Sequence, residues 1–252
     1  MVAKTERDFQ GLRAAGRLVR RVFNQMKEAT RPGISTAELD QIAQREFKRA
    51  GAQSAPMLYY DFPGATCISV NEEAAHGIPG PRVLCAGDMI NIDVSAKLRG
   101  YVADMGESFV VPGVPGHSRG TASQEQICGA VRCAVEDAVS VIYAGCSLNV
   151  IGEMVARVAD RMGYQIVRNL GSHGVGRSIH EEPSYVPFDN PREGRRLALG
   201  QVFTIEPFFT TGRAWVDTQD DGWTLSVAPG ELVAQYEASV IVGARQAQVI
   251  TA

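Results

Sequence analysis

The chain has 252 residues, 45% hydrophobic and 21% charged, a balance that supports a buried core and excludes the disordered class. Its 25 Lys and Arg against 28 Asp and Glu leave a formal net charge of -3, which excludes a general nucleic-acid or acidic-membrane binder. Charges from Lys4 to Arg20 break every N-terminal apolar run, so neither a signal-peptide core nor a membrane span is expected and the chain reads as cytoplasmic. The five cysteines form an odd set without a Cys-x-x-Cys pair, which argues against a disulfide framework or a thiolate zinc site.

In chain order, Phe9, Leu12, Gly16, Val19, Phe23 and Met26 recur at three- and four-residue steps and predict an amphipathic helix over residues 5–28, ended by Pro32-Gly33. Ser35 and Glu38 form a capping box for a second helix, with Leu39, Ile42, Ala43 and Phe47 as its apolar stripe and Gly51 as its stop. Residues 67–111 alternate or run apolar with β-branched and aromatic types and read as sheet, with a hairpin turn at Lys97-Leu98-Arg99-Gly100. A long helix follows over about 123–143, then a Gly145-Cys146-Ser147 turn and a helix to Met162 stopped by Gly163.

This order repeats that of the first half. Gly33 and Gly145, like Gly51 and Gly163, lie 112 positions apart, and Gly87 and Gly200 lie 113 apart. Leu84-x-x-Gly87-x-x-Ile90-x-Ile92-Asp93 also matches Leu197-x-x-Gly200-x-x-Phe203-x-Ile205-Glu206. Three offsets in register predict a duplication, roughly 5–112 and 113–242, within a single domain spanning 1–252. The halves are expected to share one sheet and one core.

From Met89 to Val94 the two-residue side-chain period places Ile90, Ile92 and Val94 on one face and Asn91 and Asp93 on the other. Phe203-Thr204-Ile205-Glu206 divides the same way. Asp93 and Asp104 lie symmetrically about the expected turn, so a simple antiparallel register makes them cross-strand neighbours. Two such carboxylates repel unless a proton or a cation lies between them. Glu237 is the sole charge in the apolar strand 235–242. Any one of these acids alone reads as an exposed strand residue. Together, Asp93, Asp104, Glu206 and Glu237 point to a hydrolytic metal site, because four carboxylates and a neutral imidazole balance two divalent cations. Oxygen and nitrogen ligands suit Mn, Co, Fe or Zn. Of the histidines, His117 sits in a Pro-Gly-rich turn and reads as solvated, whereas His173 lies in a glycine-rich loop able to bring an imidazole close to a metal. His76 and His180 are further candidates, although each alone reads as a surface or core residue.

Cys67-Ile68-Ser69-Val70-Asn71-Glu72, His76-Gly77-Ile78-Pro79, the run from Gly87 to Val94, His173-Gly174-Val175-Gly176-Arg177, His180-Glu181-Glu182-Pro183, Phe203-Thr204-Ile205-Glu206-Pro207, Asp221-Gly222-Trp223 and Gln235-Tyr236-Glu237 follow one another along most of the chain. In these segments the chain resembles the type I methionine aminopeptidases, metallopeptidases of the pita-bread fold. The resemblance implies an α+β, duplicated fold whose pseudo-two-fold halves share a central curved antiparallel sheet covered by helices. It implies a metal-dependent hydrolase that removes the N-terminal methionine from peptides and nascent proteins with a small second residue, as a cytoplasmic monomer without nucleic-acid or membrane partners.

The resemblance also carries the metal ligands of that family onto Asp93, Asp104, His173, Glu206 and Glu237, holding two divalent ions per chain. Asp104 and Glu237 bridge the ions, Glu206 doubles as the proton-handling base, His180 polarises the scissile carbonyl and His76 bonds the peptide nitrogen. The methionine pocket falls on Tyr59, Phe62, Cys67 and Trp223, with Ile179 also at the substrate. Ser172, Ile179, Met105, Tyr185 and Pro187 depart from the family pattern, and Ile179 widens the pocket by replacing an aromatic wall. An Xaa-Pro peptidase would share the fold and ligands but usually adds an N-terminal domain, for which 252 residues leave no room. An inactive binding protein of this fold would lack ligands, and none is missing here.

Overall fold

A computed structural model describes residues 1–113 and 122–252, so the expectation for His117 lies outside the described residues. Helix α1, Glu6–Ala29, starts from a reciprocal cap: the Thr5 hydroxyl accepts from the Asp8 N–H while the Asp8 carboxylate accepts from the Thr5 N–H. Helix α2, Thr36–Ala50, has the Ser35–Glu38 capping box and ends at Gly51 with φ 65. A short helix α3, Ala55–Tyr60, follows, capped by Ser54 and carrying Pro56 in its first turn. Helices α4, Ala122–Ser140, and α5, Asn149–Met162, form the corresponding pair in the second half, and α5 ends at Gly163 with φ 77. The other aligned glycines share that backbone, with φ 89 and 95 at Gly33 and Gly145, and 87 and 77 at Gly87 and Gly200.

The strands Met89–Leu98 and Tyr101–Val110 pair along their whole length. Their turn is two residues long rather than four. Arg99 and Gly100 both take positive φ, 51 and 83, the backbone that lets a two-residue turn match the strand twist, and Lys97 and Leu98 stay in the ladder. The shorter turn shifts the register. Asp93 faces Gly106 and Asp104 faces Ser95, so the two acids are diagonal neighbours on one face rather than direct partners.

Every named pairing among the described residues is antiparallel, but the ladders divide into four sheets. The hairpin carries Cys67–Val70 and Gln53–Ser54 on one edge. The second half contributes five strands in the order Gln248–Val249, Ala238–Ile241, Val202–Ile205, Ser172–Gly174, Glu181–Tyr185. At the seam between the halves a continuous ladder gives way to single contacts. The Glu237 N–H donates to the Gly106 carbonyl at 2.7 Å, and the Ser239 hydroxyl accepts from the Asp104 N–H at 3.0 Å and donates to the Asp104 carbonyl at 2.7 Å. The core divides likewise. One cluster packs α1 and α2 on the hairpin through Leu12, Phe23, Leu39 and Ile92; another packs α4 and α5 on the second sheet through Ile127, Ile151, Phe203 and Val240. The apolar strand faces point outward to the helices and the polar faces meet at the seam. No helix among the described residues is long and apolar enough to cross a membrane.

On the outer face of the hairpin, Glu107 is 3% exposed and receives Lys27 Nζ at 2.5 Å, the Arg132 guanidinium in a close ion pair, and Arg20 at 3.9 Å. One carboxylate thereby ties α1 and α4 to the same strand. Glu107→Gln frees cations that already reach solvent, so its cost is expected at about 1–3 kcal/mol. Lys27→Met combined with Arg132→Met strands a buried carboxylate and is expected to cost more, about 3–5 kcal/mol. Urea midpoints measure both, and equal losses would contradict this ordering.

Candidate active site

The strands bring the candidate ligands together. Asp93 and Asp104 project from the inner face of the hairpin, His173 lies in Ser172–Gly174, Glu206 follows Val202–Ile205, and Glu237 precedes Ala238–Ile241. All five line one cavity of about 240 Å³. His173 Nε2 stands 3.2 Å from Glu206 and 3.9 Å from Asp104. Ligand atoms of Asp104, His173 and Glu237 lie within 4.8 Å of one another. Asp104 Oδ1 and Glu237 Oε1 are buried with no hydrogen-bond partner. Two orphaned carboxylate oxygens beside an imidazole fit a divalent cation, and among the described residues no lysine or arginine lines the cavity to take its place.

Around the acids a second layer of polar groups fixes their orientation. The Thr204 hydroxyl donates to Glu206 at 2.6 Å, and the Glu206 N–H donates to the Ser172 hydroxyl at 3.2 Å. Gln235 Nε2 donates to Glu237 at 3.3 Å, while Asn91 Nδ2 donates to Gln235 Oε1 at 2.9 Å and to Ser108 at 3.1 Å. Gly106 makes room for this chain, because a Cβ there would stand 2.4 Å from Gln235 Oε1. Sequence reasoning missed Thr204 and Gln235, although both lie two residues from a candidate ligand on the same strand face.

Burial sets the electrostatics. It pushes Asp104 and Glu237 well above the ordinary carboxylate range, with their acidic neighbours adding to the effect, and pushes Glu206 up to about 8. His173 is driven down to about 3, chiefly by burial, so its imidazole is neutral. Cys67, paired directly with Asp93 across the strands, is kept a thiol by burial and by that carboxylate. It therefore forms wall rather than ligand.

Phe62, Cys67, His76, Ile179, His180 and Trp223 all line the cavity. Phe62 and Trp223 meet edge to face with centroids 5.2 Å apart, and Ile179 reaches from the first core cluster. His76 holds a left-handed backbone, φ 56, which the next residue supports: the Gly77 N–H bonds the Ser69 hydroxyl at 3.0 Å and its carbonyl accepts from Ile68 at 2.9 Å. Tyr59 departs from expectation and is absent from the lining. Its ring packs on the first core cluster under Lys97, and its hydroxyl donates to the Arg177 carbonyl at 3.0 Å. Neighbours on a helix point about 100° apart, so it is Tyr60, with Pro56, that reaches the cavity from α3. The short α3 gave no periodic signal by which to tell the two tyrosines apart.

The segment carrying Ile179 and His180 is pinned on both sides. Arg177 pairs with Asp8 at 2.6 Å and stacks on Tyr101, and the Glu181 carboxylate accepts from the N–H groups of Arg177 and Ser178 at 2.6 and 2.7 Å. Two departures from the family pattern also sit together behind Glu206. Ser172 bonds the Glu206 N–H, and the Tyr185 hydroxyl donates to the Thr204 carbonyl at 2.7 Å.

Residues 10–244 match metallopeptidase family M24. The chain is 43% identical over 243 residues to the methionine aminopeptidase of Staphylococcus epidermidis, covering 96% of this chain and 95% of that protein. The crystal structure of methionine aminopeptidase from Rickettsia prowazekii matches with a TM-score of 0.93 at 29% identity, over 100% of both chains. The prolidase from Pyrococcus furiosus, 21% identical, shares the fold with a TM-score of 0.77, and this chain spans 65% of its length. The architecture is thus the pita-bread fold of this family.

Between 4.5, its ordinary value, and about 8, Glu206 in the folded metal-free protein holds a proton that the unfolded chain has lost. The contribution of Glu206 to folding stability therefore falls as pH rises through that window, and above 6.5, where the buried histidines are neutral in both states, it is not offset by them. A divalent ion replaces the proton and should stabilise most at the upper end. Melting temperatures in chelator at pH 6.5 and pH 8, with and without added Mn, measure this; a flat metal-free profile would contradict it.

Proposed function

The chain belongs to metallopeptidase family M24, and from that premise we propose that it is a metal-dependent aminopeptidase that releases the N-terminal methionine from peptides and nascent proteins with a small second residue. The observation that carries this reading is the meeting of the orphaned Asp104 and Glu237 oxygens with neutral His173 beside an apolar wall. Asp93, Asp104, His173, Glu206 and Glu237 would hold two divalent ions, Co, Mn, Fe or Zn. Such ions supply Lewis-acid polarisation of the scissile carbonyl and a water-derived nucleophile at neutral pH.

The chain's own groups do the rest. Glu206 takes up and returns the proton at its carboxylate, which the Thr204 hydroxyl orients through a 2.6 Å hydrogen bond. His180 donates to the carbonyl oxygen as negative charge builds there. His76, at the cavity edge, bonds the peptide nitrogen and is held in place by its left-handed turn. Phe62, Cys67, Ile179 and Trp223 enclose the methionine side chain, apolar and sulfur-tolerant surfaces that exclude water from the thioether. We place that action in a monomer in the cytoplasm, where nascent chains carry their first methionine.

Metal-loaded protein should release methionine from Met-Ala-Ser faster than leucine from Leu-Ala-Ser, and should leave Ala-Pro intact. Preferential cleavage of Ala-Pro would instead establish the Xaa-Pro reading. Ile179→Phe restores a flat wall and should raise the methionine-to-leucine ratio at unchanged metal content. A methylene-sized difference in an apolar pocket is worth about 1–3 kcal/mol, so a shift of several-fold is expected, and an unchanged ratio would remove Ile179 from the specificity determinants. His76→Ala should keep its metal and lose about tenfold or more in turnover.

A further inference from the structure

Tyr60 lies outside the residues assigned above, yet its hydroxyl is hydrogen-bonded to Nδ1 of His180. The two rings are tilted at 51° with centroids 5.3 Å apart. On its other side the His180 ring meets His173 edge to face at 4.2 Å. The two histidines are thus one packed pair whose protons are set by different partners. A neutral imidazole has one N–H and one lone pair, and whatever bonds one nitrogen decides what the other can do.

His173 Nδ1 lies 3.0 Å from the Gly174 carbonyl, an acceptor only, so Nδ1 carries the proton and Nε2 turns a lone pair toward Asp104 and Glu206. His180 has a hydroxyl where His173 has a carbonyl. A phenol is a better donor than an imidazole N–H, and an imidazole lone pair is a better acceptor than a phenol oxygen. Among the described residues, His180 is the only partner of that hydroxyl. We propose that Tyr60 is a positioning residue that donates to Nδ1 of His180 and so fixes the proton on Nε2, giving the adjacent histidines opposite tautomers. One imidazole then offers a lone pair to the carboxylate cluster and the other offers an N–H to the substrate carbonyl. The inference rests on the proposed aminopeptidase reading for its catalytic consequence, but the tautomer itself does not depend on substrate.

Two measurements separate the parts. Nitrogen-15 NMR of uniformly labelled, metal-free protein, with the His180 signals assigned by their loss in His180→Gln, should place the proton on Nε2. A proton on Nδ1 overturns the proposal even if the enzyme is active. Tyr60 is 45% exposed, so Tyr60→Phe removes one oxygen from a site with room to spare. In that variant the Nδ1-protonated form should appear, and kcat for Met-Ala-Ser should fall about tenfold or more, the scale on which outer partners act. KM should stay within about twofold and metal content should not change. An unchanged kcat, or a loss explained by lost metal, overturns the role. If wild-type protein releases no methionine, the aminopeptidase reading fails, and the NMR result still decides the tautomer.

Discussion

Four carboxylates converge on a cavity that, among the described residues, no lysine or arginine lines, and this concentration of like charge governs how the surrounding structure is built. Two unit charges 4 Å apart repel by about 4 kcal/mol at an effective dielectric of 20. Protons or cations must therefore take up the charge, and burial, with the neighbouring acids adding to it, drives the metal-free acids toward the protonated form. The polar layer outside them suits that demand. Thr204, Ser172 and Gln235 each bond an acid or its backbone from behind, leaving the inward oxygens of Asp104 and Glu237 without a partner. An arginine could have balanced the same charge, but it would have filled the space a cation and substrate need.

The strand Tyr101–Val110 makes the contrast within a few residues. Asp104 and Glu107 point to opposite faces, and both are buried. Glu107 is met by three basic side chains from α1 and α4, as a structural anion should be. Asp104 is met by an imidazole and other acids. The same residue class on the same strand is thus resolved by side-chain cations on the helix face and left open on the cavity face. In the second half the ladder ends at Ile205 with Ala238, and Glu206 and Glu237 are the next residues beyond that end. Each half therefore supplies two acids from two adjacent strands, within the ladder in the first and just past its end in the second.

Much of this was legible in the sequence because it rests on local rules. Capping residues and stop glycines marked α2 and α5 closely, and the two-residue period separated Asp93 from its apolar neighbours. What the sequence concealed depended on backbone detail or on contacts across the seam. Arg99 in a left-handed conformation shortened the turn and moved Asp93 off Asp104 by one diagonal, which no propensity signals for an arginine. Where the halves meet, the Ser239 side chain takes both backbone groups of Asp104 and only isolated backbone contacts, Glu237 with Gly106 and Glu107 with Tyr236, bridge the sheets, which periodicity cannot reveal. Tyr59 and Tyr60 are equivalent by composition, and only the rotation of a six-residue helix sends one to the Arg177 loop and the other to His180.

The division of labour between strands and connections follows from these constraints. Charge repulsion makes the positions of Asp93, Asp104, Glu206 and Glu237 exacting, and hydrogen-bonded strands on two packed cores hold them to that tolerance. The groups that would touch a peptide lie elsewhere: His76 on a left-handed turn, Ile179 and His180 on a segment fastened by Arg177 and Glu181, Tyr60 at the end of α3, and Trp223 in a loop ordered by Asp221. Such connections accept substitution without disturbing a sheet register. The same scaffold can then serve enzymes of different specificity, as the shared fold of a prolidase at 21% identity illustrates. The departures from the family pattern at Ile179 and Tyr185 fit this logic from both sides. Ile179 forms part of the cavity wall, whereas Tyr185 stands behind the acids and keeps its place through a bond to the strand that delivers Glu206.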